Sequence, residues 1–117
     1  MLYFLSMDQI SFDEWKKVEM KVGKILEVER VANTDKLYKL QVDVGEDKPR
    51  QIVTGLVPFY KEEELKDRKI IVLTNLKPAK FKGEISEGML LCAENETSGQ
   101  CMLLSVEKDI ETGTTIT

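Results

Sequence analysis

The chain contains no histidine. That removes the side chain best suited to general acid–base work near neutral pH, and with it the commonest zinc ligand. Its two cysteines, Cys92 and Cys101, are too few for a four-cysteine metal site. Both sit among apolar neighbours, which predicts buried, reduced thiols, and nothing else in the sequence supports a disulfide. No apolar run approaches the roughly 18 residues of a membrane-spanning helix. The N-terminal Met1-Leu2-Tyr3-Phe4-Leu5 is apolar but short, with no basic flank and no cleavage site, so it does not read as a secretory signal. A cytoplasmic protein with no membrane contact is therefore expected. Met7 serves as well as Met1 for the biological start, and residues 1–10 read as an N-terminal extension.

Other catalytic devices are missing too. No pair of carboxylates sits in an apolar setting that would drive two pKa values apart. Gly83-Glu84-Ile85-Ser86-Glu87-Gly88 has neither the spacing nor the following lysine of a phosphate-cradling loop. The expectation is a protein that is not an enzyme by itself, with no catalytic residues, cofactor or metal.

What remains is an ordinary globular composition, 42% apolar and 32% charged, in 117 residues, which is one domain's worth. The net charge is −4, but it is unevenly spread. Residues 1–83 carry 16 basic and 14 acidic side chains, whereas residues 84–117 carry one basic and seven acidic. A basic body with an acidic C-terminal quarter can present a local positive face.

The pattern along the chain is mostly β. Ser11-Phe12-Asp13-Glu14 is a capping box and predicts a short helix over about Ser11–Lys17, with Phe12 and Trp15 on one face. Trp15 is expected as a core or interface anchor. Met20 to Val31 alternates as a long strand, and Gly23 within it suggests a bulge or bend. Leu37–Val44 is the clearest alternation, and Arg50–Thr54 is a third strand. Glu62-Glu63-Glu64-Leu65 reads as a turn or two of helix. Lys69–Thr74, Met89–Ala93 and Cys101–Ser105 are further strands, followed by a β-prone tail over Ile110–Thr117. Three meander strands, a helix and then further strands is the chain order of a five-stranded oligonucleotide/oligosaccharide-binding barrel.

The stretch that carries function is Asn75 to Ala93. It reads as a loop bearing Lys77, Lys80 and Lys82 around Pro78 and Phe81, closed by the turn Ser86-Glu87-Gly88-Met89. Lysines of this kind give salt-sensitive affinity for phosphates. Phe81, between two of them, either stacks on a base or pins the loop to the body. Ser86 caps the turn or lines the surface. Gly83 and Gly88 allow positive φ or close backbone approach.

Val22-Gly23-Lys24-Ile25, Asn33-Thr34-Asp35-Lys36-Leu37-Tyr38 and Val42-Asp43-Val44-Gly45 form one set of motifs. Arg50-Gln51-Ile52-Val53-Thr54-Gly55-Leu56, Asn75-Leu76-Lys77-Pro78 and Gly83-Glu84-Ile85-Ser86-Glu87-Gly88-Met89 complete it. Together, from about Asp13 onward, they resemble the tRNA-binding domain family. That family includes the C-terminal domain of methionyl-tRNA synthetases, free-standing structure-specific tRNA-binding proteins and the endothelial monocyte-activating polypeptide.

The resemblance implies an all-β oligonucleotide-binding barrel over residues 11–117, with residues 94–117 as a β extension used for homodimerisation. It implies binding of tRNA by shape, with Asn75, Lys77, Lys80, Lys82, Ser86 and Met89 in the site and Lys36 and Arg50 as peripheral phosphate contacts. It implies a non-catalytic auxiliary (beta) subunit of methionyl-tRNA synthetase, partnered with the catalytic chain, or an independent tRNA-binding protein, since no catalytic core accompanies the domain. The related secretion-chaperone branch offers the alternative of a dimeric protein-binding chaperone. One departure is visible. The family's His-Pro before the Asn-x-Asp turn is here Val31-Ala32.

Overall fold

The longest strand, β1 (Met20–Arg30), places every other part of the body. The computed structural model describes residues 8–117. The choice of start and most of the N-terminal extension lie outside the described residues. A short helix α1 (Phe12–Trp15) precedes β1. After it come β2 (Tyr38–Asp43), β3 (Arg50–Thr54), α2 (Glu62–Leu65) and β4 (Lys69–Leu73). The chain continues through β5 (Ala79–Phe81), β6 (Glu84–Ser86), β7 (Met89–Leu90), β8 (Cys92–Asn95), β9 (Gln100–Leu103) and β10 (Thr115–Ile116).

The main sheet has the order β3-β2-β1-β4-β7, antiparallel throughout, with β10 added to β1. It curls into a nearly closed five-stranded antiparallel barrel of the oligonucleotide/oligosaccharide-binding type. Curling requires β1 to serve two sides. It pairs with β2 over Lys24–Arg30 and with β4 over Met20–Lys24. Gly23 stands at this handover. A Cβ there would come within 2.9 Å of both Val42 and Val72 side chains, so the barrel interior has no room for one. The bulge itself lies further on, where the register slips between Ile25 and Glu27.

Alternation in the sequence becomes the core. Tyr38, Leu40 and Val42 point inward from β2 and meet Ile25, Ile52, Ile70 and Val72 from its neighbours. Leu65, the buried residue of α2, seats in the same core. Each such fully buried aliphatic side chain stabilises the fold by about 1.5–3 kcal/mol. Tyr38 and Tyr60 link this core to the periphery. The Tyr38 hydroxyl donates to the Tyr60 carbonyl at 2.7 Å, and the Tyr60 hydroxyl accepts from the Leu103 N–H at 3.1 Å. Burial pushes the Tyr38 phenol above its ordinary pKa, with Glu62 adding to the effect.

Four expectations need correction. The single strand over Met89–Ala93 is two. Leu91 leaves the sheet, and β8 pairs with β9 in a separate hairpin. The basic loop contains a hairpin of its own, β5–β6. Phe12 and Trp15 stand at the surface, 71% and 39% exposed, so of the two roles expected for Trp15 the core anchor falls. The capping box on α1 is present, with Ser11 Oγ accepting from Glu14 N–H at 3.1 Å and Glu14 Oε1 accepting from Ser11 N–H at 2.9 Å. Cys92 and Cys101 are free thiols, half-buried rather than buried.

The C-terminal tail is fastened by two glycines. Gly45 (φ 83°) and Gly113 (φ 91°) stack so closely that a Cβ on Gly45 would lie 2.8 Å from the Gly113 Cα. Gly113 N–H then donates to Val22 C=O, and Val22 N–H to Thr114 C=O. With Val31-Ala32 before it, the following turn is closed. Val31 is buried, its N–H reaches Leu37 C=O at 3.1 Å, and Asn33 takes a left-handed φ of 64°. Among the described residues no helix is long and apolar enough to cross a membrane.

Candidate nucleic-acid interface

A nearly closed barrel has a seam, here between the free edges of β3 and β7. The chain from Glu84 to Met89 crosses it. A full ladder does not form, so side chains supply most of the bonds. The Ser86 hydroxyl accepts from Val53 N–H at 3.0 Å and donates to Gly88 C=O at 3.0 Å. The Glu87 carboxylate accepts from Gln51 N–H at 3.0 Å, and Glu87 N–H donates to Gln51 C=O at 2.7 Å. Gln51 Nε2 donates to Ile85 C=O at 2.9 Å. Gly88 is needed because a Cβ would meet Leu73 C=O at 3.0 Å and the Val72 and Ile52 side chains beyond it.

Above this seam stands the β5–β6 hairpin. Ala79 pairs with Ser86, Lys80 with Ile85 and Phe81 with Glu84. Lys82 (φ 52°) and Gly83 (φ 84°) make the two-residue turn. Positive φ at both positions is the geometry that matches strand twist, and a Gly in second place favours it. Gly83 thus supplies backbone freedom, whereas Gly88 supplies space.

The hairpin's charges are sorted. Glu84 reaches Lys39 Nζ at 3.3 Å, which also lies 3.5 Å from Glu29. The hydrogen bond that Lys39 donates to Glu84 and the charge of Glu29 hold the Lys39 ammonium above its ordinary pKa, despite some desolvation. Glu87 is turned to Gln51. Both carboxylates are therefore engaged with the barrel. Lys77, Lys80 and Lys82 are exposed and form no ion pair among the described residues. The outward charge of the hairpin is positive for that reason.

The expected site residues fall into two groups. Lys80 and Lys82 lie at the surface of the hairpin, with Lys77 exposed just before it and Met89 exposed at the start of β7 just after it. Lys36 is exposed on the turn before β2, at the end of the β2–β3 pair where Tyr38 faces Thr54. Glu87 bonds to Gln51 whereas Glu84 reaches Lys39, the partner of Val53, so the hairpin tip points to that same end. The other three residues hold the site together. Ser86 is 4% exposed and turned into the seam. Asn75 clasps the segment before β1, its Oδ1 accepting from Glu19 N–H at 2.9 Å and its Nδ2 donating to Lys17 C=O.

Arg50 is the most heavily engaged. Its guanidinium makes a bidentate pair with Glu46, at 2.9 and 2.8 Å, and donates to the carbonyls of Thr74 and Glu87. It ties the residue just before the Asn75–Ser86 segment to the residue just after it. The hydrogen bonds that Arg50 donates to Glu46 raise the Arg50 pKa and lower that of Glu46.

Lys39, Gln41 and Gln51 escaped the sequence reading. They line the outer face of β2 and β3, with Gln41 Nε2 donating to Gln51 Oε1 at 3.3 Å. Their alternation with core residues marks them only as outward-facing. Four apolar side chains also stand out on and beside the hairpin. Leu76, Phe81, Ile85 and Met89 are 45–49% exposed. Val53, Leu76, Phe81 and Met89 line a shallow pocket of about 100 Å³ together with Lys77 and Ser86. That is well below the roughly 300–1,000 Å³ of a typical small-molecule site. The face suits a large partner that touches it with one group at a time.

A family model described as a putative tRNA binding domain matches residues 20–115. The methionine–tRNA ligase of Methanocaldococcus jannaschii is 46% identical over 110 residues, which is 94% of this chain and 17% of that relative. The chain thus spans a small part of the curated relative it matches. The crystal structure of a MetRS related protein from Pyrococcus horikoshii superposes with a TM-score of 0.86 at 41% identity, covering 94% of this chain and 99% of that one. The CsaA chaperone protein of Picrophilus torridus superposes with a TM-score of 0.83 at 28% identity, covering 93% and 100%.

Proposed function

Since the chain belongs to the tRNA-binding domain family, we propose that it binds folded tRNA through the β5–β6 hairpin and the adjoining face of β2 and β3. One observation carries the reading. Lys77, Lys80 and Lys82 stand exposed on and just before the hairpin, and the carboxylates on and just after it, Glu84 and Glu87, are both bonded to the barrel. A phosphate backbone approaching that side meets positive charge without an internal competitor. Lys36, at the same end of the β2–β3 pair, extends the contact. Met89 supplies an apolar contact at the base of the hairpin. Arg50, Asn75 and Ser86 act as positioning residues, because their polar atoms are already bonded within the chain.

The barrel is not catalytic in this reading. It serves methionyl-tRNA synthetase as an auxiliary (beta) subunit beside the catalytic chain, or acts as a free-standing tRNA-binding protein in the cytoplasm. It works as a homodimer. Phe12, Trp15 and Val18 line an open, mainly apolar groove with Ile116 of β10. This groove joins the N-terminal helix to the C-terminal extension and offers a second copy a self-complementary surface.

The test is competition. Folded tRNA, unstructured RNA of equal length and an unfolded polypeptide are each offered against labelled tRNA. The proposal predicts that folded tRNA displaces the label best. Equal displacement by both RNAs contradicts shape recognition, and displacement by the polypeptide favours the chaperone reading.

A further inference from the structure

We propose that the pocket beside the hairpin takes one unstacked nucleobase of the RNA, laid against the Phe81 ring and the Met89 side chain. This rests on the RNA-binding reading of the same face and adds what that face recognises. Phe81 is one of only four phenylalanines in the chain, and it is 45% exposed on the hairpin face turned towards the barrel. It is paired with Glu84, whose carboxylate is drawn away to Lys39. The ring therefore keeps an open apolar surface beside Val53, Leu76 and Met89.

Neither packing nor hydrogen bonding within the barrel explains leaving these side chains half open to water. Their neighbourhood is cationic. Lys77 lines the pocket, and Lys80 and Lys82 flank Phe81 in the chain. An apolar ring with Lys77 at its pocket and Lys80 on the opposite face of the hairpin matches a nucleotide, whose flat base needs a stacking surface and whose phosphates need cations.

The pocket walls also limit what can be read. The Ser86 hydroxyl is committed to Val53 N–H and Gly88 C=O, and Val53 N–H is thereby occupied. Neither this hydroxyl proton nor this backbone donor is therefore left to donate to a base edge. Stacking without edge recognition tolerates any base. The required feature is an unpaired base at a given place in a folded RNA, not a given letter. Recognition of shape then has a chemical component. A flipped or looped-out base must arrive at Phe81 while its flanking phosphates reach the lysines.

The test uses the full chain with two probes of similar size and charge. One is a folded tRNA transcript and the other a fully base-paired RNA duplex. The variants are Phe81→Ala, Phe81→Trp and the triple change of Lys77, Lys80 and Lys82 to Ala. Phe81→Ala should weaken tRNA binding about tenfold, while duplex affinity and the salt dependence of binding stay as in the wild type. Phe81→Trp should restore tRNA affinity, with quenching of the new indole fluorescence on binding.

Equal loss for tRNA and duplex, or no loss for tRNA, overturns base stacking. So does Phe81→Trp binding tRNA without quenching. If the lysine variant binds tRNA as tightly as the wild type, the RNA-binding reading of this face falls instead. Tight binding of an unfolded apolar polypeptide that Phe81→Ala abolishes, with tRNA affinity unchanged, assigns the pocket to peptide and overturns the proposal.

Discussion

Replacing Arg50 with alanine separates two roles for the same side chain. The structure gives its guanidinium four hydrogen bonds, to Glu46 Oε1, Glu46 Oε2, Thr74 C=O and Glu87 C=O. Thr74 is 4% exposed, and a charge-assisted bond to such a group contributes about 1.5–3 kcal/mol. The pair with Glu46 is partly solvated, with side chains 22% and 40% exposed, so screening limits it to about 1 kcal/mol or less. The bond to Glu87 C=O is exposed and adds about 0.5 kcal/mol. Arg50→Ala should therefore cost about 2–4 kcal/mol, a drop in Tm on the order of 10–20 °C for a domain of this size.

Glu46→Gln should cost about 1 kcal/mol or less. The Glu46 carboxyl is held below its ordinary pKa by the Arg50 hydrogen bond. Its contribution is present above the unfolded value of about 4.3 and is lost as pH falls through the lowered folded value. The stability gap between wild type and Glu46→Gln should be flat from about pH 8 to 5 and close below about pH 4. Thermal unfolding followed by circular dichroism measures both, and tRNA binding adds a second axis. A positioning residue weakens binding without changing the salt slope, whereas a phosphate contact lowers that slope by about one. An Arg50→Ala protein within about 0.5 kcal/mol of wild type, or one whose salt slope falls by one, refutes the clamp.

Other consequences follow from the same contacts. Ser86→Ala strands the buried Val53 N–H and Gly88 C=O and should cost about 1–3 kcal/mol in denaturant unfolding, while Ser86→Thr tests the room around the hydroxyl. The Cys92 thiol is pushed up to about 11, first by burial and then by the neighbouring Cys101, so at pH 8 about a thousandth of it is thiolate. Mass spectrometry should find Cys92 alkylated by iodoacetamide far more slowly than a free thiol at that pH, with the rate still rising above pH 9. Trp15→Ala, or Phe12→Ser with Trp15→Ser, should shift the protein from dimer to monomer in sedimentation. A wild-type monomer at micromolar concentration contradicts the homodimer.

Much of the barrel could be read from its alternation. Leu37 to Val44 has period two because one face of β2 is core, and Tyr38, Leu40 and Val42 are all buried. The capping box at Ser11 is local chemistry and was equally plain. The basic hairpin was not, because Pro78, Lys80 and Lys82 interrupt any alternation and its strands are three residues each. The clamp was invisible for a different reason. Arg50 bonds to carbonyls 24 and 37 residues away, and carbonyls carry no sequence signature. Lys39 was missed likewise, since its partner Glu84 is 45 residues distant. Ser86 stood out in the sequence, but its surface or interior position depended on how the barrel seam closes.

In the proposed function, Lys77, Lys80 and Lys82 carry the attraction for tRNA phosphates. Affinity for a folded tRNA transcript should be measured across several salt concentrations for the wild type and for the triple change of Lys77, Lys80 and Lys82 to Ala. Loss of three phosphate contacts should flatten the plot of log K against log salt by about 2–3 and weaken binding most at low salt. An unchanged slope with unchanged affinity would contradict the assignment of this hairpin as the tRNA-binding face.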